Sequence, residues 1–87
     1  MNKEKDVVGY IVELELDRKT PDTLYRYIRN DDGYWSEAMN EISDGEWYED
    51  SGAMGLQTQT HSGYHYRVTK EEAEKIAIQL GGSIYDT

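Results

Sequence analysis

The chain has no cysteine, no phenylalanine and a single proline, Pro21, and it carries no lysine or arginine between Asn30 and Tyr66. Without cysteine, neither a disulfide nor a thiolate–metal staple can support the fold, and the usage fits a reducing compartment. No uninterrupted apolar stretch approaches the length of a membrane span. The charged start, Met1 to Asp6, leads into Val7 and Val8, but Glu13 and Glu15 break the apolar run before it becomes a secretory h-region. These absences lead us to expect a soluble, cytoplasmic protein. With 87 residues, one domain spanning 1–87 is expected, its residues 1–5 flexible.

What is present is acid. Eighteen Asp and Glu face nine Lys and Arg, a net charge of −9. Such an excess disfavours direct contact with nucleic acid or an anionic membrane and favours solubility, cations or a basic protein partner. The stretch without cations holds Asp31, Asp32, Glu37, Glu41, Asp44, Glu46, Glu49 and Asp50, interleaved with Tyr34, Trp35, Met39, Ile42, Trp47 and Tyr48. The interleaved apolar residues point to a folded acidic lobe rather than a disordered tail.

Periodicity divides the chain into elements. Residues 7–16 alternate as a half-buried strand, with Val8, Tyr10, Val12, Leu14 and Leu16 on one face and Ile11, Glu13, Glu15 and Asp17 towards the other. A loop around Pro21 precedes a second strand over 24–29. Asn30-Asp31-Asp32-Gly33 has turn chemistry. Trp35, Met39 and Ile42 recur at i, i+4 and i+7, which predicts a short helix starting near Ser36; a continued strand is the alternative. Short strands are expected at 46–48, 56–60, 64–68 and 83–85. Thr69-Lys70-Glu71-Glu72 spells a capping box, and Ala73, Ile76, Ala77 and Leu80 form the buried stripe of the following helix, which Gly81 and Gly82 end. The expected fold is α+β: a small antiparallel sheet of about four to six strands with one C-terminal helix packed on it and a short second helix.

Catalytic constellations are missing. There is no Gly-x-Ser-x-Gly elbow, and Gly52-Ala53-Met54-Gly55 lies in an acidic region that repels phosphate. In an extended segment His61 and His65 would stand about 13 Å apart, too far to share one zinc; a hairpin bend that brings them closer is the alternative. The Asp-Gly turns at 32–33 and 44–45 lack the ligand spacing of a calcium loop. We therefore expect no enzyme activity, no metal and no cofactor.

Two features point to recognition. Glu13, Glu15 and Asp17 on one strand face would be spaced by about 7 Å, comparable to successive phosphates of a nucleic-acid strand. A solvated face of an amphipathic strand produces the same pattern. The second is aromatic usage: eight Tyr and two Trp, residues typical of binding hot spots. About half of these are expected in the core. The resulting candidate partner-binding set is Glu13, Glu15, Asp17, Asp31, Asp32, Asp44, Glu46, Glu49 and Asp50 for charge, with Trp35, Trp47 and Tyr48 as anchors.

In size, acidity, tyrosine content and absence of cysteine the chain resembles small phage and mobile-element proteins of the anti-CRISPR, host-defence-inhibitor type. The segments Tyr25 to Trp35 and Val68 to Gly82 are similar to pieces of many such proteins. They are structural motifs that carry no activity. The resemblance implies stoichiometric inhibition of a CRISPR effector by covering its DNA-binding surface. The expected partner is thus a basic nucleic-acid-binding protein, with no nucleic acid or membrane bound directly. A phage structural or assembly module, self-associating through its Tyr/Trp surface, is the alternative.

Overall fold

A computed structural model describes residues 6–30, 33–50 and 64–85. Five strands form one antiparallel sheet in the order β4-β3-β2-β1-β5: β1 is Asp6–Leu14, β2 Pro21–Asn30, β3 Gly33–Asn40, β4 Tyr48–Glu49 and β5 His65–Val68. Helix α1, Lys70–Gln79, follows β5 and packs on β1, β2 and β5. The expected α+β architecture is thus the observed one.

Cross-strand partners share a face, so the register sorts the sheet. Tyr10, Leu24 and Met39 face the helix and join Ala73, Ala77, Leu80 and Ile84 in one core, with Val7, Trp47, Val68 and Ile76 packed against it. Ile11, Tyr25, Tyr27, Ser36 and Ala38 lie on the opposite face, where tyrosines pair with small residues: Tyr25 with Ala38 and Tyr27 with Ser36. Ser36 and Ala38 are fully buried there.

The helix is terminated at both ends as its sequence dictates. The Thr69 hydroxyl accepts from the Glu72 amide at 3.1 Å, and Glu72 Oε1 accepts from the Thr69 amide at 3.0 Å. At the other end the Gly82 amide donates to Ala77 O (2.8 Å) and the Gly81 amide to Ile78 O (3.1 Å), with Gly81 at φ 92°. Gly81 and Gly82 also lie directly against Gly45 in the β3–β4 turn. A Cβ on Gly45 would overlap the Gly81 carbonyl, and one on Gly82 would overlap the Gly45 carbonyl.

Five expectations are corrected. Residues 36–40 belong to strand β3, and no helix forms near Ser36. A spacing of four satisfies a strand as well as a helix, and Trp35 pairs with Ile28 as Met39 pairs with Leu24. Ile42, expected on the helix stripe, stands 95 % exposed in the turn beyond β3. The first strand ends at Leu14, and an irregularity between Val7 and Gly9 leaves Val8 outside the pairing. The shift flips the alternation, so Val7 joins the core and Val8 is 48 % exposed. β4 falls at 48–49 rather than 46–48. Residues 83–85 form an irregular tail, with Ile84 buried, rather than a strand. Finally, β2 starts at Pro21, a strand's first residue being a position where a missing N–H is tolerated. The strand expected at 56–60 and the hairpin turn at 61–63 lie outside the described residues.

Candidate binding surface

Antiparallel order places the β1–β2 loop (15–20) and the β3–β4 turn (41–47) at the same end of the sheet. The bridged pair Thr23–Asn40 ties them together, since Asp22 and Glu41 lie just beyond it on neighbouring strands. Each loop is built by short polar side chains. In the first, Asp17 Oδ1 accepts from the amides of Lys19 and Thr20, both at 2.8 Å, and its other oxygen accepts from the Thr20 hydroxyl. These bonds favour the ionised form and hold the Asp17 carboxyl below the usual carboxylate range. In the second, Asn40 Oδ1 accepts from the Ser43 amide at 2.9 Å and Asn40 Nδ2 donates to the Tyr48 hydroxyl at 2.9 Å. Asp44 and Arg18 take left-handed backbone conformations (φ 55° and 60°) that close the two loops.

At this end Glu15, Asp17, Asp22, Glu41, Asp44 and Glu46 are all exposed. The cations beside them are Arg18, whose guanidinium lies 4.9 Å from the Tyr64 ring centroid, and Lys19. Loops on neighbouring strands lie within a few strand spacings of about 4.8 Å, so their charges add when the Debye length is about 8 Å or more. Two aliphatic side chains stand among the acids: Leu16, 89 % exposed, and Ile42, 95 % exposed. Sequence periodicity placed both in buried stripes, and only the end of β1 at Leu14 and of β3 at Asn40 releases them to solvent.

The predicted set is split by the fold. Glu15, Asp17, Asp44 and Glu46 come together at this end, with Glu49 exposed on the edge strand beside it. The even row of Glu13, Glu15 and Asp17 does not form, because the strand stops before Glu15. Glu13 is on the face away from the helix, where Oε1 accepts from the Tyr25 hydroxyl (2.8 Å) and Oε2 lies 3.5 Å from His65 Nε2. Asp50 is half-buried, its backbone paired with Ser36 and its carbonyl accepting from the Ser36 hydroxyl. Asp31 and Asp32 lie outside the described residues.

The aromatic anchors also divide. Trp35 is half-buried on the helix side. The Trp47 ring covers Arg26 at 4.1 Å and its Nε1–H donates to Ser83 O at 3.2 Å, so its indole serves the fold. Tyr48 remains exposed. Residues that sequence reasoning left out of the set are Asp22, Glu41, Leu16 and Ile42. The signal for them is the register, which is not written in local sequence. Glu37 belongs to the cation-free stretch but is neutralised by Arg26, with Nη2 and Nε at 2.6 and 2.8 Å from Oε1.

Among the described residues no three His, Asp or Glu side chains are grouped to hold a metal ion, and no helix is long and apolar enough to cross a membrane. Comparison with protein families, with curated proteins and with solved structures found no match to this chain.

Proposed function

We propose that this protein is a non-catalytic inhibitor that docks the acidic end of its sheet on the basic surface of a nucleic-acid-handling protein, with a CRISPR nuclease complex as the specific candidate. The observation that carries this reading is the setting of Leu16 and Ile42, nearly fully exposed, among six exposed carboxylates on two adjacent loops and the start of β2. Scattered exposed aliphatics are ordinary on a protein surface. Two on neighbouring loops, in a rim where six acids outnumber Arg18 and Lys19, have the anatomy of a docking site: apolar anchors for burial and a charged rim for steering. Carboxylates presented in this way can pair with the Arg and Lys that otherwise hold phosphates. The choice of a CRISPR complex rests on the resemblance in size, charge and composition noted above. In this reading the mimicry lies at a sheet end rather than along a strand face.

The test is inhibition of target-DNA cleavage by a panel of purified CRISPR nuclease complexes. Wild-type protein should inhibit at stoichiometric amounts, less well as salt rises. The triple variant E41K/D44K/E46K should lose inhibition, and L16S/I42S should weaken it without altering its salt dependence. Reversal at Glu71 and Glu74 on the helix is the control that should change nothing. Inhibition that survives the triple reversal would rule out electrostatic mimicry. If no complex is inhibited, light scattering that finds a stable oligomer dispersed by L16S/I42S would favour the self-associating module.

A further inference from the structure

On the face away from the helix, at the other half of β1, a groove of about 280 Å³ opens between β1, β2 and β5. Val8, Gly9, Ile11, Tyr27, Arg67 and Val68 contribute to its walls. The β1 irregularity makes it: Gly9 pairs with Tyr27, Val8 is displaced from the ladder, and no atom lies within 4 Å of where a Gly9 side chain would begin. The floor is apolar, with Ile11 and Tyr27 almost wholly buried. One wall is charged. Arg67 stands opposite Ile11 in the β1–β5 ladder and is exposed. It lies close enough to the Tyr27 phenol to offset part of the effect of that ring's burial.

Among the described residues Arg67 makes no ion pair, although the chain has twice as many acids as bases. Six exposed acids gather at the opposite end of the sheet, and the groove offers an exposed guanidinium beside an apolar, tyrosine-lined floor. We propose that this groove binds a small monocarboxylate with a compact apolar body, its carboxylate paired with Arg67 and its body laid in the space beside Gly9 and against Ile11. A planar guanidinium suits a carboxylate because it can donate two parallel hydrogen bonds. The volume limits the occupant to fragment size, which sets the affinity on the order of 1 mM. This site is independent of the acidic end and does not rest on the proposed inhibition.

Phenylacetate is a suitable probe, with phenylacetamide as its uncharged counterpart. Amide chemical shifts of the full chain should move saturably at Val8, Gly9, Ile11 and Arg67 on titration with phenylacetate. Phenylacetamide should bind roughly tenfold more weakly. R67Q, a surface change, should abolish the difference between the two probes. G9A, which places a methyl in the groove, should weaken both. Absence of saturable shifts at these residues, equal affinity for the two probes in the wild type, or a preference for phenylacetate that survives R67Q would each overturn the proposal.

Discussion

Arg26, 1 % exposed at the centre of β2, lies between Glu37 on the neighbouring strand and the indole of Trp47, whose ring centroid is 4.1 Å from its guanidinium carbon. The same guanidinium donates to Ile84 O at 3.3 Å and so ties the C-terminal tail to the sheet. A buried cation is costly unless its charge and donors are met. Here the carboxylate, the aromatic face and the carbonyl meet them together. The residue in the acidic stretch that is most thoroughly neutralised is thus the one on which the core depends.

Removing one partner should therefore be worse than removing both. Glu37→Leu leaves Arg26 buried without its counter-charge and is expected to cost about 3 kcal/mol. Combining it with Arg26→Met should restore much of that loss. Urea unfolding of the two single variants and the double variant measures the coupling. Equal losses for Glu37→Leu and the double variant would contradict this account.

The contact between the β3–β4 turn and the helix end predicts a sharp contrast among glycines. Gly82→Ala and Gly45→Ala should each cost about 2 kcal/mol or more, since a methyl meets backbone on the other segment and Gly45 also has φ 73°. Gly9→Ala, with open space around it, should cost well under about 1 kcal/mol. Thermal melts of the three variants give the ranking.

The capping box predicts an acid-side dependence. Thr69→Ala should destabilise the protein by about 1 kcal/mol at neutral pH. The bonds from Thr69 hold the Glu72 carboxyl below its ordinary range. A depressed native value means the contribution is present above the unfolded carboxylate range and fades as pH falls through the native one. The difference between wild type and Thr69→Ala should accordingly shrink on acidification, as read from urea midpoints.

At high pH the tyrosines take over. Burial pushes the Tyr27 hydroxyl up to about 12, and burial with the nearby Glu13 carboxylate raises Tyr25 further. The unfolded chain ionises these groups near pH 10, so it releases protons that the native state keeps. Stability is full below that pH and falls as pH rises towards the native values. Tyrosinate absorbance should show late-ionising residues, and Glu13→Gln should bring Tyr25 to lower pH. A titration in which every tyrosine ionises at its ordinary value would refute this.

Local sequence was sufficient for the features that depend on neighbours within a turn. The capping box at Thr69, the stripe Ala73, Ile76, Ala77 and Leu80, and the left-handed end at Gly81 all follow from residues a few positions apart, because helix hydrogen bonds span that distance. The positive φ of Gly33 was legible for the same reason. The strand assignment of 36–40 was not, because Trp35 and Met39 satisfy both periods and only pairing with Ile28 and Leu24 on β2 selects one. The irregularity at Val8 was hidden likewise, and it puts Val7 rather than Val8 on the core side of β1.

By itself, then, the sequence determined the acidity, the α+β class and the closing helix, all set by composition and short-range bonding. The tertiary structure decided which acids act together. It withdrew Glu13 into bonds with Tyr25 and His65, neutralised Glu37 with Arg26, and turned Trp47 inward. It also gathered Asp22 and Glu41 with Leu16 and Ile42 at one end of the sheet. The physical reason is that strand register is a long-range choice: residues far apart in the chain become neighbours only when the whole sheet closes around its core.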